Sequence, residues 1–301
     1  MPRIVLVTAI ASLHLDDDMP QLQEACARAG LVADVRAWDD ATVSWGRYDL
    51  ALLRSPWDYM EHHARFIAWC ERVGRATTLL NPPALVRWNT DKHYLADLAA
   101  DGIAVVPTTF VEPDADPVPA LEAMLAAHPD ATDIVVKPAI SAGSKDTARY
   151  RRDEAFAAAN HIGRLLEADR SVMLQPYLGT VDVHGETALL YFDGAYSHAI
   201  RKAPLLRPGE PAGDHTAWPD AITPRDPADD ERALADRILA AVTAHNEGVP
   251  PVYARIDLVR DAAGAPCLLE AELTEPSLFF GHAPGAADRL AGALVRALAA
   301  R

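Results

Sequence analysis

The stretch YARIDLVRDAAGAPCLLEAELTEPSLFF, residues 253 to 280, constrains this chain more than any other. It reads as two strands, 252–260 and 266–272, around DAAGA, whose Asp and Gly supply turn chemistry. With Ala263 and Gly264 at the centre of the turn, Asp257 faces Glu270 and Arg255 faces Glu272. Side chains alternate between the faces of a strand, so Ala254, Ile256, Leu258, Leu269 and Ala271 are predicted on a core face. The other face then carries three carboxylates and one guanidinium.

Like charges opposite one another on a sheet are destabilising, and nothing within the hairpin offsets them. A cation would. Two or three carboxylate oxygens, with positions left for water and phosphate, is the usual way of holding Mg²⁺ where phosphoryl groups move. Spacing alone leaves open the alternative of a solvated polar face with one Arg–Glu pair.

Composition removes several other classes. With 28 Lys+Arg against 43 Asp+Glu the net charge is −15, so the overall field repels nucleic acid and anionic membranes. Cys26, Cys70 and Cys267 form no CxxC and cannot all pair, which suits buried thiols in a reducing compartment. The apolar run at 4–10 reads as a buried parallel strand and not as a signal sequence. No apolar stretch reaches the ~20 residues of a membrane span. The expected location is the cytoplasm.

Strand-like and helix-like segments alternate over the first ninety residues: strand 4–8, helix 19–29, strand 32–37, strand 49–54 and helix 62–76. LLNPPALVRWN, with two prolines, marks a boundary near 81–88, and Thr90 is expected to cap a helix ended by Gly102. A proline-rich loop, a short helix at 121–128, strands 134–137 and 148–151, a helix capped by Asp153 and strand 172–176 follow. Asp193-Gly194 signals a type I′ hairpin, placing Glu186 opposite Arg201 and Leu189 opposite His198. A Pro-rich loop at 204–227 and helices at 228–246 and 285–300 complete the chain. The fold class is α/β (α+β), in three units: 1–89, 90–178 and 179–301.

A bound Mg-nucleotide needs more than carboxylates. Lys137 ends the apolar strand DIVVKP, where a buried stem and projecting ammonium suit a phosphate contact. After it, AISAGSKD has small side chains and Gly143, which let backbone N–H groups approach an anion. Pro138 rules out a Walker A loop. Lys92 is a further phosphate candidate. VMLQPYLGTVD is a buried strand running into an extended segment that can offer backbone groups to an adenine, with Asp182 downstream for a ribose.

Taken in this order, Lys92, Lys137 with AISAGS, the hinge QPYL, and a late hairpin carrying RID and EAE, the chain resembles the ATP-grasp superfamily over its whole length. The resemblance implies an α/β domain preceding two subdomains that clasp ATP. It implies that Lys92, Lys137, Ser141, Gly143 and Ser144 contact or cover the phosphates, and that Gln175, Pro176, Tyr177 and Leu178 line the adenine pocket. Asp182 would hold the ribose, and Asp257, Glu270 and Glu272 would bind Mg²⁺. Many members have Asn where this chain has Glu272, a departure that alters charge balance without removing the site. More narrowly, LLRSPWDY, LLNPPALVRWNTDKHYL, FDGAYSHAIRK and AELTEPSLFF are similar to the small ATP-grasp ligases that include the O-ureido-D-serine cyclo-ligases of D-cycloserine biosynthesis.

That family implies phosphorylation of an amino-acid carboxylate followed by attack of a nitrogen within the same molecule. Bringing two anions together requires Mg²⁺ and lysines. Arg255 is expected at the tetrahedral oxyanion, and Arg201 and Lys202 at phosphate or substrate. The loop 141–144 is expected to exclude water. Strand ends in doubly wound sheets place ligand contacts, so Arg54, Asp58 and Tyr59 are substrate candidates, with Trp57 read as packing. Glu275 and Ser277 are candidates for an amino group or a carboxylate. Intermolecular ligation, giving a dipeptide or glutamyl product, and a nucleotide-binding scaffold without turnover are the rival readings. A metal hydrolase built on His62 and His63 is rejected, because adjacent helical side chains diverge by about 100°. The C-terminal helix and SLFFGHAPG read either as internal packing or as a homodimer contact.

Overall fold

A computed structural model describes residues 1–208 and 221–300. The chain opens with β1 (Arg3–Thr8), α1 (Met19–Arg28), β2 (Val32–Ala37), β3 (Leu50–Ser55), α2 (His63–Ala76) and β4 (Thr78–Leu80). These form a parallel sheet of order β2-β1-β3-β4. All six residues of β3 are buried, as expected of a parallel strand covered on both faces. Pro83 does not break the chain at the boundary. It opens α3 (Pro83–Asn89) in the first turn, where the missing N–H costs nothing. Thr90 closes that helix instead of capping the next, and α4 begins later, at Tyr94–Ala100.

The middle of the chain contains β5 (Thr109–Val111), α5 (Pro117–Ala127), β6 (Asp133–Pro138), β7 (Ala148–Arg151), α6 (Ala155–Glu167) and β8 (Val172–Pro176). Their antiparallel sheet has the order β5-β8-β6-β7. Asp153 lies within a 3-10 turn before α6 and is not its cap. The last part comprises α7 (Val181–His184), β9 (Glu186–Phe192), β10 (Ala195–Lys202), β11 (Ile222–Pro224), α8 (Asp229–His245), β12 (Tyr253–Arg260), β13 (Pro266–Glu272) and α9 (Ala286–Ala299). These strands form a five-stranded sheet, β11-β10-β9-β12-β13. Part of the Pro-rich loop expected at 204–227 lies outside the described residues, and β11 interrupts the rest.

Both late hairpins contain a bulge. Asp193 (φ 53°) and Gly194 (φ 76°) form the expected type I′ turn, but the register shifts between Tyr196 and His198. Glu186 therefore pairs with Lys202 and not Arg201, and His198 with Leu190 and not Leu189. In the second hairpin only Gly264 of the turn has positive φ, at 82°, and Arg260 pairs with Pro266. A shift between Asp257 and Leu258 then restores the expected pairs Asp257–Glu270 and Arg255–Glu272. The bulge also exchanges two leucines: Leu268 enters the core beside Ile256 and Leu258, while Leu269, expected there, faces the cleft.

Two cores cover the last sheet, the first of them joining it to the first sheet. Ile4, Leu6, Leu22 and Leu52 pack with Leu190, Phe192, Tyr253 and Leu290 in one cluster. Tyr94, Leu95 and Leu98 of α4 pack with Leu189, Ile238 and Ile256 in another. The middle sheet has its own core of Val111, Ile134, Val136, Ile162 and Leu174. Among the described residues, no helix is long and apolar enough to cross a membrane.

Candidate active site

A cleft of about 1150 Å³ opens between the three sheets. Its floor is the polar face of β9, β10, β12 and β13. Asp257 is paired with Lys202 at 2.7 Å and with Arg255 at 2.9 Å. Glu270 meets Lys92 at 3.1 Å, and Glu186 meets Lys202 at 2.9 Å. Glu272 bonds Arg255, whose Nη1 also donates to the Ser277 carbonyl at 3.2 Å. The like-charge conflict in the hairpin is thus met by two cations from elsewhere in the chain, Lys92 from the turn before α4 and Lys202 from β10, together with Arg255 of β12 itself.

Burial raises the cost of every charge here, and the neighbours decide which survive. Burial opposes the Asp257 carboxylate, yet Arg255 and Lys202 outweigh it and hold the group below the usual carboxylate range. Lys92 and Lys137 do the same for Glu270. Glu272 goes the other way. It keeps 23% side-chain exposure toward the cleft, but desolvation, with Glu270 and Asp257 adding to it against Arg255, pushes it up to about 7. Glu275 is pushed up to about 8 by burial and then by Glu272. Burial lowers the Lys137 ammonium, with Glu270 opposing. Among the described residues Lys137 makes no hydrogen bond or ion pair, so it is a buried cation aimed into the cleft.

The loop after β6 closes the cleft on one side. Lys92 Nζ donates to the Ser141 carbonyl at 2.9 Å, and the Lys92 backbone N–H to Ala139 at 3.0 Å. Gly143 (φ 60°) and Ser144 (φ 57°) are both left-handed, and Ser141, Gly143 and Ser144 line the cleft. Another part of the lining is Gln175, Pro176, Tyr177 and Leu178 with Val106, Val135, Val259 and Leu269, a largely apolar slot. Gln175 donates to Thr108 Oγ1 at 2.8 Å. Asp182, on α7, is not among the lining side chains; it accepts from the Tyr177 hydroxyl at 2.6 Å and from Arg149 at 3.4 Å.

The first sheet contributes differently from expectation. Arg54 is fully buried and does not face the cleft, bonding Pro276 O at 3.1 Å and Asp16 at 3.3 Å. Asp58 accepts from Trp38 Nε1 at 2.8 Å, and Tyr59 is buried with its hydroxyl 3.5 Å from the Ser141 carbonyl. Neither lines the cleft. Trp57, read as packing, does line it, with Met60, Leu15, Asp17 and Gln21. Arg201 points away from the cleft and donates to the His184 carbonyl at 2.8 Å. Glu275 and Ser277 both face in, joined by Phe279 and His282. The acidic run at 16–18 follows β1 at the carboxyl end of a parallel sheet, a position that could have flagged it from sequence.

Among the described residues, no group of three His, Cys, Asp or Glu side chains is already gathered as a metal site. The donors nevertheless fit Mg²⁺. Glu270 and Glu272 retain 27% and 23% side-chain exposure, and one or two carboxylates beside phosphate oxygens suffice for that ion.

A clasped cleft of this kind, with lysines and carboxylates over a five-stranded antiparallel floor, is that of an ATP-grasp ligase. At the level of fold, the ATP-grasp ligase PsnB complexed with a phosphomimetic precursor variant, Mg and ADP superposes with a TM-score of 0.65 at 18% identity, covering 98% of each chain. A family model described as the D-cycloserine synthetase DcsG N-terminal domain matches residues 4–81. The cycloserine biosynthesis protein DcsG of Streptomyces lavendulae is 47% identical over 296 residues, 98% of each chain. A crystal structure of D-cycloserine synthetase DcsG superposes with a TM-score of 0.94 at 47% identity, covering 98% of this chain and 99% of that one. The chain belongs to the D-cycloserine synthetase family, and is an ATP-dependent carbon–nitrogen ligase.

Proposed function

We propose that the protein cyclises O-ureido-D-serine to D-cycloserine through an acyl phosphate. The observation that carries this reading is the polar floor itself: Lys92, Lys137, Lys202 and Arg255 converge with Glu186, Asp257, Glu270 and Glu272 at one end of the cleft. ATP lies with its adenine in the slot at Gln175–Leu178, while Asp182, expected at the ribose, stands outside the cleft lining and bonds Tyr177. Lys92, Lys137 and the loop at Ser141, Gly143 and Ser144 hold the phosphates. Glu270 and Glu272, with Asp257 behind them, hold Mg²⁺, which when bound neutralises the phosphate oxygens.

The substrate carboxylate attacks the γ-phosphorus and ADP leaves. Two anions must approach, and the Lys137 ammonium, which among the described residues forms no direct ion pair, supplies positive charge beside Glu270. The nitrogen bonded to oxygen then attacks the acyl carbon, and Arg255 balances the oxyanion until inorganic phosphate departs. Water then attacks the carbamoyl carbon and its bond to the ring nitrogen breaks, the nitrogen taking up a proton and the carbamoyl part leaving as carbamate, which splits to carbon dioxide and ammonia. Glu275 and Ser277 face the amino-acid part of the substrate. Met60 meets the phosphate loop, its Sδ 3.3 Å from the Ala142 backbone nitrogen, a closure that keeps water from the acyl phosphate.

The test is incubation with ATP, Mg²⁺ and O-ureido-D-serine, with D-cycloserine detected by mass and ADP release measured in parallel. Asp257→Asn and Glu270→Gln should lose both signals. Phosphate release with another amino acid and none with O-ureido-D-serine would favour intermolecular ligation, and equal background release from all three proteins would leave only a scaffold.

A further inference from the structure

The seam between the first sheet and the segment after β13 contains polar contacts that the reaction does not use. Asp18 accepts three backbone N–H groups, from Leu278 at 2.6 Å, Phe279 at 3.0 Å and Phe280 at 2.8 Å. Arg54 approaches the same carboxylate at 3.8 Å while donating to the Pro276 carbonyl. Its own burial is complete, and its Nε has no hydrogen-bond partner among the described residues. A guanidinium left partly unsatisfied in the interior is costly, so its retention calls for a reason beyond stability.

The segment held in this way turns sharply. Phe279 takes φ 53°, a conformation that a bulky residue adopts only when its surroundings enforce it. That turn aims Ser277 and Phe279 into the cleft, and places the Ser277 carbonyl where Arg255 Nη1 donates to it. Without the three bonds to Asp18 the backbone N–H groups at 278–280 would point at nothing in this seam.

We propose that Asp18 and Arg54 are positioning residues for the amino-acid subsite: Arg54 lies outside the cleft, Asp18 at its edge has both carboxylate oxygens taken up by backbone N–H groups, and together they fix the 276–280 backbone and through it Ser277, Phe279 and the tilt of Arg255. The proposal deepens the ligase reading and rests on it for its kinetic consequence. The nucleotide slot lies against the middle sheet, away from this seam, so the two ligands should respond differently.

The test uses the full chain with Asp18→Asn, Asp18→Ala, Arg54→Lys and Arg54→Met. Hydrogen exchange of the nucleotide-free protein should show the 278–280 amides exchanging about tenfold faster or more in the Asp18 variants. KM for O-ureido-D-serine should rise about tenfold while ADP affinity stays within about twofold, and Arg54→Lys should recover part of what Arg54→Met loses. Unchanged exchange at those amides overturns the clamp, and so does an equal loss of ADP and substrate affinity, which would mean general damage. If Arg54→Met does not fold, Asp18→Asn, nearly identical in shape, decides. Should the unaltered protein make no product from O-ureido-D-serine, the ligase reading fails on its own, and the exchange experiment still judges the clamp.

Discussion

At the scale of single residues, the most telling group is Lys137, a cation that is 8% exposed and unpaired among the described residues. Burying an ammionium without a partner costs stability, and it is tolerated where a ligand supplies the missing charge. Lys137→Met should therefore leave Tm unchanged or raised while reducing kcat by about 10²–10³. A calorimetric scan beside a turnover assay checks both, and a destabilised variant would show that the lysine serves the fold. His198 is the converse case. Its Nε2 donates to the Leu278 carbonyl at 2.9 Å, and burial lowers it to about 4 in the folded protein from 6.5. A depressed folded value means stability that is intact above pH 6.5 and lost as pH falls toward 4, by about 3 kcal/mol in all. Urea titrations between pH 4 and 7 should show that loss, and His198→Gln should flatten it. The lysines and carboxylates of the site were legible because charge on an otherwise apolar strand is conspicuous. Arg54 and Asp58 were not, because their partners Asp16, Pro276 and Trp38 are brought to them only by the finished fold.

At the scale of elements, alternation located the acidic face and the bulges decided its details. The turn of the second hairpin sits one residue away from the position expected, and the bulge near Leu269 shifts the register back, so two displacements cancel and Asp257 still meets Glu270. Nothing in CLLEAE marks which leucine is extra. The consequence is measurable. Leu268 is fully buried in the core, so Leu268→Ala should cost about 2–5 kcal/mol with little change in KM for ATP. Leu269 lines the apolar slot of the cleft, so Leu269→Ala should cost less than about 1.5 kcal/mol and, with the adenine proposed there, raise KM for ATP. Denaturation and kinetics on the pair would expose an inverted assignment at once. Alternation also misplaced partners across the first hairpin, where one bulge at Ser197 gave Glu186 to Lys202. The short helix α3 escaped notice for a different reason: proline is read as a breaker, although at the first turn it is a starter.

At the scale of the whole molecule, three sheets follow one another along the chain, but the mutual dependence of the first and last was not legible, because a shared core leaves no local mark. Ile4, Leu6 and Leu52 of the first sheet and Leu22 of α1 pack with Leu190, Phe192 and Tyr253 of the last sheet and Leu290 of α9, and hydrogen bonds reinforce that contact. Asn81 accepts from the Val252 N–H at 2.7 Å and donates to the carbonyls of Leu273 at 2.8 Å and Tyr253 at 3.1 Å. Tyr253 in turn donates to Leu53 and Thr274 carbonyls. The middle sheet has a core of its own, and Met173 of β8 and Phe110 of β5 also pack with Leu189, Ile256 and Leu268 of the last sheet. It follows that residues 1–89 expressed alone expose a face built for burial and should not fold cooperatively, and that Asn81→Ala in the full chain, which strands buried backbone groups, should lower stability by about 2–4 kcal/mol. Urea denaturation followed at the first-sheet tryptophans and by hydrogen exchange in β12 should then give coincident transitions, shifted together by Asn81→Ala. A stable 1–89 fragment, or a first sheet that melts apart from β12, would mean that the two outer sheets are independent bodies and that the cleft between them is free to change its width.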